Sequence, residues 1–461
     1  MREKIISTTV ALGTVAVFLF LKLSHLVFRF GDGNAYIYMA YHFGKLLPYR
    51  DFFLADPPFL IIVLKFFKFL FWRNLILFQA VPAVFEALTA VFIYLLLKKW
   101  ENPLSFLAPA IYLFSFTVLS TSDYLTGVQL VVFLSVLAIW AWENGWTKTS
   151  GVIWGLAVST KLYIAPAFVG FAIFSFLKSE RKVFWRFLIL AIGAAALISL
   201  PFVLTSLSKA FRYLIIHQLN RPSGLEKIAV LSFFLNREWF LLILALAGFF
   251  VFRKWVILAP FIFILVFFLL YADLYYLYLD NFMPYLIILS LSFLGWLWTR
   301  GGGLRWLLVF VLVLWSSLTF TSLNLYLNDF ATRGRFLNSA EIADYIKTLP
   351  EDFKLYGSHE VAPLVALRAE KKLFDNQIDT NAQVFSSGGL NLEEVSKSAA
   401  KEGIYLLARI IDRPEEGINN VGYEGFFSQE EFKKSCQRLK LFPSTSNESD
   451  NFIGVFRCKS N

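Results

Sequence analysis

Long apolar runs, separated by short polar or charged stretches, recur along the first 323 residues of the chain. A membrane-spanning helix needs about 20 mostly apolar residues, and fewer where it is buried among other helices. The pattern therefore predicts a polytopic α-helical membrane protein with about 11 spans. The predicted spans are residues 5–28, 75–97, 103–120, 125–142, 151–164, 165–177, 187–205, 238–252, 255–271, 282–298 and 306–323.

The pattern changes after Leu323, where charged residues become frequent and the long apolar runs end. Shorter periodic stretches predict helices over residues 339–349 and 362–369, and strands over residues 353–356 and 404–408. No catalytic pattern is evident among these residues. We predict a transmembrane domain over 1–323, which includes an outer loop at 29–74, and an extracytoplasmic α/β accessory domain over 324–461.

Both cysteines of the chain lie close to its carboxyl end. If residues 438–442 and 452–456 pair as an antiparallel hairpin, with their loop-side ends opposite each other, Cys436 faces Cys458. We therefore predict a disulfide between these cysteines, which fits an oxidising compartment outside the cytoplasm.

The composition excludes an ordinary soluble enzyme, because 57% of the residues are hydrophobic and only 16% are charged. The net charge of +10 would suit a nucleic-acid partner, but its position argues against one. The first 323 residues hold 26 basic and 13 acidic side chains, whereas the last 138 hold 17 and 20. Basic residues in short loops mark the cytoplasmic side of a membrane protein. Here they fall on alternate loops, which predicts a multi-pass protein of the cell membrane with a cytoplasmic amino terminus and an outer carboxyl-terminal domain.

The acidic residues of the membrane part are distributed differently. A transporter would place ionisable groups through the membrane midplane. Here eight carboxylates map to outer loops or the outer ends of predicted spans, which indicates a site on the outer face. They are Asp32, Asp51, Asp56, Asp123, Glu226, Glu238, Asp273 and Asp280.

The first outer loop contains two helix-length pieces on either side of residues 47–51. Asp32 precedes the first piece, where a carboxylate either caps the helix or serves in catalysis. The second piece follows Pro57 and Pro58 and carries lysines among Leu and Phe residues. That pattern is typical of a helix lying in the membrane interface with its lysines reaching the headgroups.

This loop resembles the first outer loop of the GT-C glycosyltransferases. The shared features are an acid just outside the first span, a tyrosine-rich helix, the run Pro-Tyr-Arg-Asp-Phe at residues 48–52, and a Pro-Pro pair opening a second interfacial helix. It is most similar to the branches of protein mannosyltransferase and lipid A aminoarabinose transferase. The resemblance implies a GT-C fold and transfer of a sugar, such as the hexose mannose, from a polyprenyl-phosphate donor. The acceptor would be a hydroxyl of a glycan, lipid or protein on the outer face, and the transfer would proceed with inversion.

The resemblance also implies roles for two carboxylates. Asp32 corresponds to the acid that acts at the reaction centre. Asp123, in the turn at residues 120–124, resembles the second carboxylate of these enzymes, although a helix cap is an equally simple explanation. The sequence requires no cofactor; Asp32 and Asp123 would bind a divalent cation such as Mg²⁺ or Mn²⁺ if one is used.

Basic residues on the same predicted side would receive the donor phosphate. Lys161 lies in apolar sequence, where a cation is costly without an anionic partner; snorkelling from a helix end is the alternative. His217 and Arg221 are four residues apart and would share one face of a helix. The His-x-x-x-Arg spacing is similar to that of the family, whose arginine contacts donor phosphate, while a solvated loop pair remains the alternative.

Five further residues are predicted to contact the substrates. Two lie in the aromatic stretch at residues 271–281, which otherwise reads as a tyrosine belt at the membrane surface. The five residues are Tyr36, Arg50, Asp51, Tyr275 and Tyr278.

Two other functions remain open from the sequence. One is a transporter or flippase for lipid-linked oligosaccharides, which predicts ionisable groups along a path through the membrane. The other is an oligosaccharide ligase or polymerase with a diphosphate-linked donor, which predicts more arginines in the outer loops.

Overall fold

A computed structural model describes residues 2–72, 74–351, 354–413, 418–421, 429–443 and 451–459. Its internal contacts divide the chain into two compact units. The first unit comprises Met1–Leu26, Ala80–Ser199 and Ser223–Ala331, and the second comprises Val27–Gln79, Leu200–Pro222 and Thr332–Asn461. The boundary predicted after Leu323 is a different one, because it marks the end of the membrane part of the chain. It stays a prediction.

Helices dominate the described chain. In order they are α1 (Arg2–Leu23), α2 (Gly33–His42), α3 (Phe59–Phe71), α4 (Val81–Lys99), α5 (Ala108–Leu113), α6 (Phe116–Thr121), α7 (Val128–Glu143), α8 (Thr147–Val158), α9 (Ala165–Lys178), α10 (Arg181–Val203), α11 (Leu207–Phe211), α12 (His217–Asn220), α13 (Lys227–Val251), α14 (Trp255–Leu270), α15 (Met283–Arg300), α16 (Leu304–Leu325), α17 (Ser339–Lys347), α18 (Ala362–Ala369), α19 (Ala382–Ser386), α20 (Leu392–Glu402) and α21 (Gln429–Ser435).

The helices of the first unit pack closely, in pairs such as α13 with α15 and α9 with α14. Small residues make this approach feasible, as is common in membrane helices. A side chain at Gly248 on α13 would collide with the backbone of Leu289 on α15, and one at Gly170 on α9 would collide with Ala259 on α14. These contacts bury the inward faces of the helices and leave Leu, Ile and Phe side chains exposed on the outward faces.

The predicted count of eleven spans is not confirmed. Among the described residues, six helical segments are long and apolar enough to cross a membrane. They are Ile5–Leu23, Leu75–Lys99, Arg181–Val203, Lys227–Val251, Tyr276–Arg300 and Leu304–Phe330; three shorter apolar helices are Val128–Glu143, Leu162–Lys178 and Trp255–Leu270.

Two predicted spans differ from the observed helices for physical reasons. The span predicted over 103–120 is divided into α5 and α6, because Ser115 adopts an extended conformation and caps α6 by accepting a hydrogen bond from Val118. The span predicted to start at Glu238 instead begins at Lys227. Glu238 therefore lies inside a helix rather than at its outer end, and it is buried.

The second unit begins with α2 and α3, which pack against each other. The two lysines of α3 were expected to reach the lipid headgroups. Instead the Lys65 ammonium donates to the carbonyl of Phe43 at 2.9 Å, and that of Lys68 donates to the carbonyl of Tyr41 at 3.0 Å. Both lysines thus satisfy carbonyls at the end of α2, while Phe69 on α3 is 72% exposed.

A five-stranded sheet completes the second unit. Its strands are β1 (Lys354–Gly357), β2 (Ile404–Arg413), β3 (Ile418–Val421), β4 (Cys436–Pro443) and β5 (Asn451–Cys458). Their order is β1-β2-β5-β4, with β3 also on β2; β1 and β2 are parallel, and the other pairs are antiparallel. With α17, α18 and α20 nearby in sequence, this is the α/β domain that the sequence predicts, although Phe353 lies outside the described residues.

The β4–β5 hairpin pairs Cys436 with Cys458, and the two form a disulfide. The predicted register holds at this end of the hairpin. A bulge between Arg438 and Lys440 then shifts it by one residue, so Phe442 faces Ile453 rather than Phe452. A bulge adds an unpaired residue to one strand, and pattern alone does not reveal it.

Removal of this disulfide by the double substitution Cys436→Ser and Cys458→Ser should destabilise the carboxyl-terminal domain by about 3 kcal/mol, since the loop it closes is then unrestrained in the unfolded chain. Denaturant unfolding of the purified protein, with and without reductant, measures the change. Reductant should affect only the wild type. Alkylation of two thiols in unreduced wild-type protein would contradict the disulfide.

Candidate active site

Asp32 immediately precedes α2, yet its side chain does not cap that helix. The Oδ1 atom lies 3.2 Å from Nε2 of His359, and the Asp32 side chain is 52% exposed, against 14% for His359. The side chain of Asp32 is thus not used as a helix cap, and its predicted catalytic role stays a prediction. A carboxylate that is held on one side by a histidine and open on the other is accessible to an acceptor.

The end of strand β1 places His359 beside Asp32. The strand stops at Gly357, where a side chain would collide with the carbonyl of Leu407, and Ser358 donates its backbone N–H to that same carbonyl at 3.0 Å. His359 then leaves the sheet at the carboxyl end of a parallel strand, the edge where α/β folds form their sites. Sequence analysis found no catalytic pattern here. The one feature of the sequence that could have indicated His359 is its position: it is one of only four histidines in the chain, and it comes just after a predicted strand.

Charges surround the His359 imidazole. Burial lowers the pKa of His359, but the hydrogen bond to Asp32 and the charges of Asp32, Asp379 and Glu360 outweigh it and raise this pKa from 6.5 to about 9. The imidazole is therefore protonated at neutral pH, and its pairing with Asp32 is an ion pair.

Asp379 is a second carboxylate of this cluster. Its segment is tied to the end of β1, because the Thr380 hydroxyl donates to the carbonyl of Gly357 at 2.8 Å. Burial raises the pKa of Asp379; the His359 charge opposes this rise, and the Asp32 charge adds to it. The site thus combines two carboxylates with one imidazolium, and both Asp379 and His359 were missed by the sequence analysis.

Tyr36, one helical turn after Asp32, is buried and donates its hydroxyl to Oδ2 of Asp56 at 3.0 Å. Burial, followed by the charges of Asp56 and Asp32, raises the pKa of Tyr36 well above its ordinary value. Its hydroxyl therefore stays protonated and serves to position Asp56. The predicted substrate contact by Tyr36 is not tested by this arrangement and stays a prediction.

Arg50 and Asp51 pair with each other in the turn between α2 and α3. Nε of Arg50 donates to Oδ1 of Asp51 at 2.8 Å, and the second guanidinium nitrogen lies 2.7 Å from Oδ2. The same Oδ2 accepts the backbone N–H of Leu47 at 2.8 Å. Both predicted substrate contacts thus help to close a turn, and half of the Arg50 side chain remains exposed.

Arg221 is anchored to the carboxyl-terminal domain. Its Nε donates to the side-chain oxygen of Gln383 at 2.7 Å, and the Gln383 amide donates to the carbonyl of Pro222 at 3.0 Å. The Arg221 charge also lowers the pKa of Asp379, although burial has the larger effect. The guanidinium is therefore close enough to interact electrostatically with this carboxylate. The residue predicted to bind phosphate therefore belongs to the same site as Asp32.

His217 lies deeper in the same unit. It is 2% exposed, its Nδ1 shares a hydrogen bond with the Ser387 hydroxyl, and its ring meets that of Phe53 edge-on at 5.1 Å. The helix α12 ends at Asn220, and Arg221 is extended, so the two residues do not share a helical face as predicted. His217 contacts protein groups, which suits support of the loop; its predicted contact with phosphate stays a prediction.

Asp123 belongs to the first unit, where Lys22 of α1 meets it. The Lys22 ammonium lies 2.9 Å from Oδ1 of Asp123, and the Tyr326 hydroxyl donates to the same carboxylate at 2.9–3.0 Å. The side chains of Lys22 and Asp123 are only 3% and 11% exposed. Asp123 thus neutralises a buried lysine, an ion pair that the sequence did not reveal; its catalytic role remains a prediction.

A mutant cycle separates these two roles of Asp123. Asp123→Asn should destabilise the protein by about 3–5 kcal/mol, because it leaves the buried Lys22 charge without its carboxylate. The double variant with Lys22→Met should recover much of the loss, which thermal unfolding in detergent measures. Transfer activity in the folded double variant would then contradict a catalytic role for Asp123, and loss of activity would support one.

The remaining predicted residues lie together in the first unit. Lys161, 8% exposed, occupies the junction between α8 and α9 in an extended conformation. Two residues later, the Tyr163 ring lies 5.0 Å from that of Tyr278, which in turn is 5.8 Å from Tyr275. The predicted roles of Lys161, Tyr275 and Tyr278 stay predictions.

Within the described part of the chain, no group of three or more His, Cys, Asp or Glu side chains is arranged to hold a metal ion. A divalent cation bound by Asp32 and Asp123 therefore stays a prediction.

Comparison with known proteins identifies the fold. No protein-family model and no curated protein matches the chain. Two crystal structures of ArnT from Cupriavidus metallidurans do match, one bound to undecaprenyl phosphate and one in the apo state. Each has a TM-score of 0.64 at 13% sequence identity, and 97% of this chain and 97% of the ArnT chain are covered. The chain is therefore a polytopic membrane protein with the fold of ArnT, the GT-C fold that its first loop predicts.

Proposed function

We propose that the protein is a membrane glycosyltransferase that moves a sugar from a polyprenyl-phosphate donor to an acceptor hydroxyl. The observation that carries this proposal is the Asp32 carboxylate, half exposed and held by His359, in the same unit as Arg221. The ArnT fold supports it, since one of the matching ArnT structures holds undecaprenyl phosphate.

The site residues suit a single displacement. Asp32 takes the proton of the acceptor hydroxyl, whose oxygen forms a bond to the anomeric carbon. The bond between that carbon and the donor phosphate breaks, and polyprenyl phosphate leaves with the electron pair. Arg221 stabilises the charge on the leaving phosphate, because its guanidinium fork matches phosphate oxygens. Attack opposite the leaving group inverts the anomeric centre.

The proposal places the amino terminus in the cytoplasm and the sheet domain outside. The disulfide between Cys436 and Cys458 supports this orientation, because disulfides persist in oxidising compartments. A membrane-impermeant protease should cleave the carboxyl-terminal domain from intact cells. Protection there, with cleavage only in inverted vesicles, would reverse the orientation.

Transfer itself is tested with membranes that contain the protein and a panel of labelled polyprenyl-phosphate sugars. The panel includes mannose, a hexose that the GT-C resemblance suggests and the fold does not support, and aminoarabinose. We expect label to move from one donor to a glycan, lipid or protein, which mass spectrometry identifies. Vesicle loading with lipid-linked oligosaccharide tests the transporter alternative. Transfer only from diphosphate-linked donors would favour the ligase alternative and refute the proposal.

A further inference from the structure

An arginine interrupts the apolar sequence of helix α13. Arg237 is the eleventh of the 25 residues in Lys227–Val251, and its side chain is exposed on the helix surface. It lies beside Thr319 and Ser322, which are nearer to the carboxyl-terminal end of α16 than to its middle. A cation exposed within an apolar segment is costly and usually has an anionic partner.

Two aromatic rings flank this guanidinium. It lies 5.2 Å from the ring centres of Phe116 and Phe233. Throughout the described ranges, no acidic side chain forms a salt bridge with it. Its neighbour Glu238 instead accepts the backbone N–H and the hydroxyl of Thr117, each at 2.8 Å. The faces of these two rings stabilise the positive charge of the guanidinium, but they do not accept hydrogen bonds from its N–H groups in the way that a carboxylate would. These N–H groups can therefore donate to a ligand.

The guanidinium borders a small recess among the helices of the first unit. The recess has a volume of about 30 Å³ and is lined on its polar side by Arg237, Glu238, Thr319 and Ser322. This volume admits one or two atoms of the size of a water or phosphate oxygen. Apolar side chains are exposed on the same two helices, among them Trp239, 44% exposed, and Phe320, 72% exposed.

We propose that Arg237 binds the phosphate of an anionic phospholipid at the mouth of this recess, with one phosphate oxygen inside it. A guanidinium in a medium of low dielectric constant favours an anion, and its planar N–H groups match phosphate oxygens. The exposed surface of a spanning helix faces bulk lipid, which supplies phospholipid at high concentration. The Thr319 and Ser322 hydroxyls add donors, and the exposed aromatic side chains contact the acyl chains. Phosphatidylcholine binds less well, because its own ammonium repels the arginine.

Native mass spectrometry of the full-length protein from nanodiscs tests the proposal. With equal phosphatidylglycerol and phosphatidylcholine, we expect the wild type to retain phosphatidylglycerol roughly fivefold more, the effect of one basic residue near anionic lipid. Arg237→Gln should abolish this preference. Arg253→Gln, just beyond the end of the same helix, is the matched control and should retain it.

Three outcomes would overturn the proposal. The first is an unchanged preference in Arg237→Gln. The second is displacement of the retained lipid by inorganic phosphate, which would indicate a site for soluble anions. The third is selective retention of polyprenyl phosphate over phosphatidylglycerol, which would assign the recess to a donor lipid. If Arg237→Gln does not fold, Thr319→Leu fills the recess and leaves the arginine in place; a normal preference in that variant also overturns the proposal.

Discussion

Asp32→Asn is expected to slow sugar transfer by about 10²- to 10⁴-fold, the range that a positioned general base contributes. The amide has nearly the shape of the carboxylate but cannot accept the proton of the acceptor hydroxyl. Stability at neutral pH should fall modestly, because the variant loses the ion pair with His359, although the Asp32 side chain is already half exposed. Initial rates with the labelled donor, together with thermal unfolding, measure both effects.

Two further variants accompany Asp32→Asn. The control is Asp344→Asn, which removes another carboxylate of the second unit. Asp344 is 72% exposed and pairs only with Lys347 among the described side chains, so the transfer rate of this variant should equal that of the wild type. Asp32→Glu retains the base but moves it by one carbon–carbon bond, so its rate should lie between those of wild type and Asp32→Asn. Near-normal transfer by Asp32→Asn would refute the assignment of Asp32 as the base.

Local pattern was sufficient for much of the fold. Three predicted features depend only on residues close together in sequence, and each is present in the structure. They are the apolar helices, the α/β pattern after Leu323 and the loop before α3. Helix ends were less predictable. Glu238 looked like the boundary of a span because a charged residue is expected at the membrane surface, yet Thr117 satisfies that carboxylate inside the protein. A distant hydrogen-bond partner changes where a charge is tolerated.

The candidate site was only half predictable for the same reason. Asp32 and Arg221 were found because their surroundings in sequence resemble a known family. His359 and Asp379 come from the carboxyl-terminal domain, more than 300 residues after Asp32, and no local pattern marks them. Asp123 was found in the same way as Asp32, but nothing near it in sequence indicates its ion pair with Lys22. Long-range partners, rather than the residue types, distinguish these cases.

Substitution of His359 should show that this imidazolium positions the Asp32 carboxylate. His359→Ala removes both the hydrogen bond and the charge, and a displaced catalytic group typically costs about 10²-fold in rate. His359→Gln retains an N–H donor without the charge and should recover part of that loss. His25→Gln, at an exposed histidine of the first unit, is the control and should transfer sugar at the wild-type rate.

The dependence on pH distinguishes positioning from a purely structural role. The pKa of His359 is raised from 6.5 to about 9 in the folded protein, so the ion pair is complete below pH 6.5 and is lost as the pH rises through 9. Wild-type stability should therefore decline between these values, and kcat/KM should fall near pH 9. His359→Gln should lack both effects. An unchanged alkaline limb in His359→Gln would contradict this role, because the titrating group would then be another residue.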